Sequence, residues 1–197
     1  MHLNKPLILA SQSPRRAALL RQIGLAPQII PSKIAEEFDL TRTPAENAKH
    51  LAQAKAENVG REVDNAIIVG ADTIVVLDGR YLGKPSDPSD AVKMLGMLSG
   101  RTHLVVTGFS LFDRPGNRSV TDYEETKVTF RTLPPEEIAA YVEQGSPMDK
   151  AGAYGIQDDY GAVFVSRIEG DYYNVVGLPL SKFYLTLQEF SLQLDKQ

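Results

Sequence analysis

The sequence lacks the residues on which several classes of protein depend. None of its 197 residues is cysteine, which excludes disulfide frameworks, iron–sulfur clusters and thiolate zinc sites. The 3 histidines, His2, His50 and His103, are too scattered to suggest a metal cage. Any metal site is therefore expected to consist of oxygen ligands, which suit hard cations.

Long hydrophobic runs are also missing. The longest apolar stretches are short ones such as 67–69 and 74–77. They fall far short of the roughly 18 to 20 residues of a membrane-spanning helix, so no membrane association is expected. Residues 1–6 carry no apolar export signal, and we expect a cytoplasmic location. With 21 Lys and Arg against 25 acidic residues, the net charge of −4 argues against a nucleic-acid-coating protein, which needs a basic face. The expected partner is therefore a molecule smaller than a nucleic acid.

The sequence does have strand-length apolar runs that alternate with helical patterns, separated by Gly, Pro, Asp and Asn. This alternation is typical of α/β and mixed α+β proteins. The length suits one compact domain or two small lobes that share a core. We therefore expect a single domain over 1–197, with a mixed, twisted sheet, surrounding helices and a cleft between two halves.

Local signals predict the individual elements. A polar residue followed by proline marks three helix starts, with Ser13, Thr43 and Asp87 before the helices. The predicted helices are 14–23, 44–60, 88–98, 134–144 and 180–194. The predicted strands are 7–10, 66–77, 80–82, 102–112 and 120–131, and a further hairpin is expected from 162–168 and 172–176 around a turn at 169–170.

Two arginines occupy the first turn of the first predicted helix. Cations are disfavoured there because a helix N-terminus carries about half a positive charge. A bound phosphate would remove the conflict, since free backbone N–H groups, the hydroxyls of Ser11 and Ser13 and the guanidinium groups of Arg15 and Arg16 all favour an anion. The alternative is that both arginines reach solvent or pair with surface carboxylates.

Asp72 interrupts the apolar run 66–77 with a carboxylate. Burying it costs several kcal/mol unless it is paired or metal-bound, so a cation or a water is expected beside it. Alternatively, Asp72 caps a bulge formed at Gly70. Lys84 follows the next predicted hairpin and either returns to the same end of the sheet or is an ordinary edge-strand charge.

The segment 149–157 is rich in small residues. Gly152 and Gly155 permit close approach of the backbone to a ligand. Lys150 offers a partner for a phosphate or carboxylate, and the Gln157 amide suits the edge of a base. The alternative is a connecting loop with a solvent-exposed ion pair.

Three further residues depend on the fold for their role. Glu36 and Glu37 are candidate Mg²⁺ ligands if the fold brings them near Asp72, and otherwise they form a solvated surface. Lys55 lies on an apolar face of its predicted helix, where it either points to a phosphate or reaches water.

Five segments together strongly resemble the Maf family of nucleoside triphosphate pyrophosphatases in order and spacing across nearly the whole chain. They are 11–16 (Ser-Gln-Ser-Pro-Arg-Arg), 70–73 (Gly-Ala-Asp-Thr), 83–85 (Gly-Lys-Pro), 149–157 and 176–180 (Val-Gly-Leu-Pro-Leu). One departure is Gln12, where the family often has glycine. The resemblance implies the elongated, two-lobed Maf/ITPase-like fold with a central cleft, commonly as a homodimer.

The same resemblance implies hydrolysis between the α- and β-phosphates of a nucleoside triphosphate. The products are the monophosphate and pyrophosphate, and the cofactor is a divalent cation, Mg²⁺ first, with Mn²⁺ or Co²⁺ as alternatives. Segments 70–73 and 149–157 are similar to the branch that acts on dTTP, UTP and some modified pyrimidine nucleotides. They differ from the branch that acts on 7-methyl-GTP.

By this resemblance Asp72 is the proton acceptor that activates water and also holds the metal, with Glu36 as a second ligand. The resemblance also implies that Arg15, Lys55 and Lys84 bind the triphosphate and that Arg15, Thr73 and Gln157 determine which nucleotide is accepted. The other candidates, Ser11, Ser13, Arg16 and Lys150, are implied to bind substrate as well.

Two other functions stay open. One is a non-enzymatic regulator that binds a division protein or nucleic acid, since the family name derives from inhibition of septum formation. The acidic balance weakens its nucleic-acid version. The other is an inosine triphosphate pyrophosphatase on a related fold, which tests with ITP beside dTTP would separate.

Overall fold

The computed structural model of the chain describes residues 3–157 and 160–195, with residue 146 described by its backbone alone. The β-strands of these residues are β1 (Leu7–Leu9), β2 (Gln28–Ile29), β3 (Ala66–Leu77), β4 (Arg80–Leu82), β5 (Thr102–Arg114), β6 (Ser119–Phe130) and β7 (Val165–Glu169). The α-helices are α1 (Pro14–Gln22), α2 (Pro44–Gly60), α3 (Pro88–Leu98), α4 (Pro135–Glu143), α5 (Tyr172–Val176) and α6 (Leu180–Leu194). Short 3₁₀ turns lie at Ser146–Asp149, Ala151–Ala153 and Tyr160–Phe164. Over the described residues, none of these helices combines the length and the apolar content of a membrane span.

The strands form one mixed sheet. Its order is β2-β1-β3-β5-β6-β7, and β4 pairs with β3 outside this path. Strand β1 runs parallel to both β2 and β3, whereas β4 is antiparallel to β3 and β7 is antiparallel to β6. Every residue of β1 is buried, as expected for a parallel strand with neighbours on both sides. The predicted mixed α/β class with helices around a sheet is confirmed.

The chain divides into two compact units. The first unit consists of Met1–Asp72, Thr107–Glu124 and Gly177–Gln197, and the second of Thr73–Val106 and Glu125–Val176. Each has its own apolar core: the first packs α2 against β1 and β3, and the second packs α3 and α4 against strand residues that include Val75, Val105 and Phe130. The single domain and the cleft expected from the sequence stay predictions.

The three predicted helix starts are confirmed. The side chains of Ser13, Thr43 and Asp87 each accept a hydrogen bond from the backbone N–H three residues further on, at 3.4, 3.2 and 2.9 Å. Thr43 also forms a reciprocal capping box with Glu46. These caps satisfy backbone donors that the first helical turn leaves without partners.

The predicted hairpin of 162–168 and 172–176 is wrong. Strand β7 pairs with β6 instead, and 172–176 is helix α5. Asp171 caps this helix, since its Oδ1 accepts hydrogen bonds from the backbone N–H groups of Tyr173 and Asn174 at 2.7 and 3.4 Å. The fully buried Asn174 amide then donates to the backbone of β5 and to a hydroxyl of β6. Capping and buried hydrogen bonds therefore override the local β propensity of the two valines.

Two glycines allow α2 to lie directly on the sheet. A Cβ atom on Gly70 of β3 would lie 2.0 Å from the carbonyl oxygen of Ala52, and one on Gly108 of β5 would lie 2.4 Å from the carbonyl oxygen of Ala48. The facing side of α2 carries fully buried alanines at every fourth position, 48, 52 and 56. Strand β3 runs without interruption through Gly70. This glycine therefore serves the close packing of α2 against β3.

We expect Gly108→Ala to lower the free energy of unfolding by about 1 to 3 kcal/mol, because the added methyl meets helix backbone that cannot rotate away. The matched control is Gly96→Ala. Gly96 is an exposed position inside α3 with nothing within 4 Å of an added Cβ. There alanine should stabilise by up to about 1 kcal/mol through helix propensity. Urea denaturation of both variants tests the packing, and equal effects of the two changes would contradict it.

Candidate active site

A buried carboxylate and a buried ammonium face each other in the first unit. Lys55 of α2 donates from Nζ to Oδ1 of Asp72 in β3 at 2.5 Å. Each residue is only 6% exposed. The close packing of α2 at Gly70 brings the lysine within reach of the strand. Asp72 thus has the cationic partner that its place in an apolar strand requires.

Glu36 brings a second carboxylate to the same ammonium. Its Oε1 accepts a hydrogen bond from Lys55 Nζ at 2.5 Å. The Glu36 side chain is 41% exposed, whereas that of Asp72 is 8% exposed. Of the two adjacent glutamates, it is Glu36 that the structure brings to Lys55. Two carboxylates, one buried and one open to solvent, therefore converge on one point.

Arg16 is fixed beside this group rather than directed into solvent. It is buried, its Nε donates to the carbonyl oxygen of Gly177 at 2.9 Å, and its terminal nitrogen donates to Ser11 Oγ at 3.1 Å. Ser11 Oγ also accepts the backbone N–H of Ser13 at 3.2 Å. The alternative of a solvated arginine therefore does not describe Arg16. Its neighbour Arg15 is half-buried in the same first turn of α1.

The charges of these groups act on one another. Burial raises the pKa of Asp72 above its ordinary value, and Glu36 adds to the rise, whereas Lys55 and Arg16 oppose it. Burial likewise lowers the pKa of Arg16, and Asp72 opposes that change. A carboxylate with a raised pKa is a stronger proton acceptor, and its cationic neighbours favour the ionised form. Such an arrangement is typical of a general base.

The other predicted residues lie in the second unit, on β3 and two loops: Thr73, Lys84, Lys150 and Gln157. A backbone hydrogen bond from Gly152 to the carbonyl oxygen of Gly83, 3.0 Å long, joins the loops. The loop 83–85 and the segment 149–157 therefore lie side by side. Lys84 is exposed, and Thr73 and Gln157 are half-buried.

Lys150 is more enclosed than a solvent ion pair would be. Its Nζ donates to Asp149 Oδ1 at 3.0 Å, but its side chain is 10% exposed against 55% for Asp149. The alternative of a loop with a solvent-exposed ion pair therefore describes Asp149, which is exposed, but it does not describe Lys150.

The Asp72 and Glu36 carboxylates are oxygen ligands of the kind that Mg²⁺ prefers. Within 3–157 and 160–195, no three His, Asp or Glu side chains group closely enough to form a complete protein cage. Mg²⁺ is commonly bound by one or two carboxylates and completes its shell with phosphate oxygens and water. Asp72 and Glu36, which both contact Lys55 Nζ, offer that donor set.

Sequence reasoning missed one contributor, the carbonyl of Gly177 that holds Arg16. The segment 176–180 carried a signal as one of the five family motifs, but its residue types gave no reason for it. The structure supplies that reason, because a backbone acceptor fixes a buried guanidinium.

The charges predict opposite shifts in two variants. Lys55→Met should raise the Asp72 pKa further, because it removes a cation that favours the ionised form. Glu36→Gln should lower it, because it removes a like charge. Titration of the Asp72 carboxyl carbon by NMR measures both, with Glu37→Gln as the control that should leave it unchanged. Shifts of the same sign in the first two variants would refute this electrostatic account.

The chain matches known proteins along most of its length. The family model for Maf-like proteins matches residues 6–190. A protein of Bacillus pumilus named dTTP/UTP pyrophosphatase is 50% identical over 186 residues, which cover 94% of this chain and 97% of the relative. Relatives with the same name from Moorella thermoacetica and Dictyoglomus turgidum are 51% and 46% identical, covering 88% and 98% of this chain and 89% and 100% of the relatives. The chain therefore belongs to the Maf family.

Proposed function

We propose that this protein is a dTTP/UTP pyrophosphatase, which hydrolyses either nucleotide to its monophosphate and pyrophosphate. Relatives that are 46% to 51% identical over most of the chain carry that name. The observation that carries the chemistry is the buried Asp72 carboxylate, paired with Lys55 and set beside Arg16 and Glu36. This group supplies a base and cations in one place, which hydrolysis of a phosphoanhydride requires.

Asp72 acts as the base. It accepts a proton from a water whose oxygen forms the new bond to the α-phosphorus. The bond between that phosphorus and the bridging oxygen to the β-phosphorus breaks, and pyrophosphate leaves with the bridging oxygen. The raised pKa of Asp72 suits this role, since a base is most effective when its pKa lies closer to the working pH.

Lys55 performs two tasks. It keeps Asp72 ionised, and it helps to neutralise the triphosphate. An ammonium group has three N–H donors, and, among the described residues, Asp72 and Glu36 accept two of them. The third is available to a phosphate oxygen. The N-terminus of α1, with Arg15 and the hydroxyls of Ser11 and Ser13, adds further donors for an anion.

Four further residues take part in substrate recognition in this proposal. Lys84 and Lys150 bind phosphate oxygens, and Gln157 recognises the pyrimidine edge together with Thr73. The hydrogen bond between the two loops supports the grouping of both lysines. A glutamine amide offers both a donor and an acceptor, as the edge of uracil or thymine requires.

We also propose a divalent cation, Mg²⁺ in the first place, with Mn²⁺ or Co²⁺ as alternatives, held by Asp72 and Glu36. When bound, it would neutralise negative charge on the phosphate oxygens. The homodimer is proposed on the resemblance to the family alone, and the cytoplasmic location stays the expectation stated from the sequence.

The alternatives have less support. A regulator of septum formation that only binds a partner has no use for a buried base surrounded by cations, which costs stability. Inosine triphosphate hydrolysis would use the same chemistry, but the relatives' name specifies dTTP and UTP.

We expect the protein to release pyrophosphate from dTTP and UTP faster than from ITP, ATP or GTP when Mg²⁺ is present. Asp72→Asn should reduce turnover by about 10²- to 10⁴-fold, because it removes the base. Its circular dichroism and chromatographic behaviour should stay those of the wild type. Release of orthophosphate instead would place the cleavage at another bond, and a preference for ITP would favour the alternative enzyme.

The metal proposal has a matched pair of variants. Glu36→Gln should raise the Mg²⁺ concentration needed for half-maximal rate, because one ligand loses its charge, whereas Glu37→Gln should leave it unchanged. A chelator should stop the reaction, and added Mg²⁺ should restore it. Full activity in the chelator would eliminate the cation from the proposal.

A further inference from the structure

The second unit buries a histidine that the proposed chemistry does not use. His103 of β5 is 3% exposed. Its Nε2 lies 2.8 Å from the hydroxyl of Tyr154, and its ring meets those of Tyr154 and Phe130 edge to face, with centroids 5.4 and 5.1 Å apart. Its Nδ1 is buried, and among the described residues it has no hydrogen-bond partner.

An imidazole is a costly choice for this position. Burial lowers the pKa of His103 to about 4, so the ring is neutral at neutral pH and carries one donor and one acceptor. Tyr154 satisfies one nitrogen, and within 3–157 and 160–195 the other is buried without a partner. An apolar side chain would pack here without that loss. The polar contribution of His103 is therefore its single hydrogen bond to Tyr154.

Tyr154 belongs to the segment 149–157, whose backbone is strained next to it. Ala153 has φ +62° and is fully buried, although a residue with a Cβ atom rarely adopts the left-handed region. Such a conformation persists only where the surroundings hold it. Two contacts do so on either side of Ala153: the bond from Gly152 to Gly83, and the bond of Tyr154 to His103.

We infer that His103 is a positioning residue, which through Tyr154 holds the segment 149–157 in the conformation that presents Gln157 to the pyrimidine. The inference rests on the proposed function, because it concerns which nucleotide that site accepts. His103 is not one of the proposed substrate-binding residues. In this inference it affects nucleotide choice without touching the nucleotide.

The test compares variants that remove the bond with one that restores it. Tyr154→Phe removes only the hydroxyl, His103→Leu removes the ring nitrogens, and His103→Gln offers an amide in place of Nε2. The first two should lower the ratio of kcat/KM for UTP over CTP by about 3- to 30-fold. Most of the loss should lie in KM for UTP, with kcat changed less, and His103→Gln should recover most of the ratio.

A double-mutant cycle with Gln157→Ala separates positioning from general destabilisation. If His103 and Tyr154 act through Gln157, then Tyr154→Phe should lower the UTP preference in the wild type but not in the Gln157→Ala background. Independent, multiplicative effects in the two backgrounds would overturn the inference. So would a variant that melts earlier but retains the wild-type KM and nucleotide preference.

Hydrogen exchange tests the inference apart from catalysis. Backbone amides of 150–157 should exchange faster in Tyr154→Phe and His103→Leu than in the wild type, while amides in the middle of β3 stay unchanged. Unchanged exchange in the segment would overturn the inference whatever the enzyme does. Absence of pyrophosphate release by the wild type would instead overturn the proposed function, so the two failures are distinguishable.

Discussion

The contact between Lys55 and Asp72 is the interaction on which the site depends. Removing a carboxylate and an ammonium from water costs more than a poorly placed pair regains, so a buried pair requires good geometry. The fold provides it by bringing α2 into backbone contact with the sheet at Gly70 and Gly108. Larger side chains at either glycine would move the helix outward and separate the charges. The packing of small residues and the electrostatics of the site are therefore one constraint.

The same contact explains why an energetically unfavourable group is retained. Burial disfavours the ionised form of Asp72, and this makes its carboxylate a stronger proton acceptor than one in water. Without cations, the group would simply bind a proton and lose that ability. Lys55 and Arg16 oppose this by stabilising the charge. Arg16 is itself held in place by the Gly177 carbonyl and the Ser11 hydroxyl.

The sequence predicted what depends on local chemistry. Ser13 and Thr43 cap helices wherever the rest of the chain lies, and Asp72 was identifiable because a carboxylate in an apolar strand needs a partner. The residue types alone did not separate Glu36 from Glu37, since the surrounding segment is irregular and tertiary contacts set its path, and only the resemblance to the family favoured Glu36. The same holds for the Gly177 carbonyl, which reaches Arg16 from 161 positions away. Helix α5 was missed because two valines outweighed the Asp171 cap in the local pattern.

Asp72 and His103 show that burial alone does not decide which charges surround a titratable group. Both are almost completely enclosed, and burial is the largest influence on the pKa of each. The carboxylate has Lys55, Arg16 and Glu36 around it, and the two cations favour its charged form, which the proposed base needs. The pKa of the imidazole is shifted by burial alone, and at neutral pH the ring stays uncharged. His103 therefore contributes a directional hydrogen bond to Tyr154, which fixes geometry and does not transfer a proton.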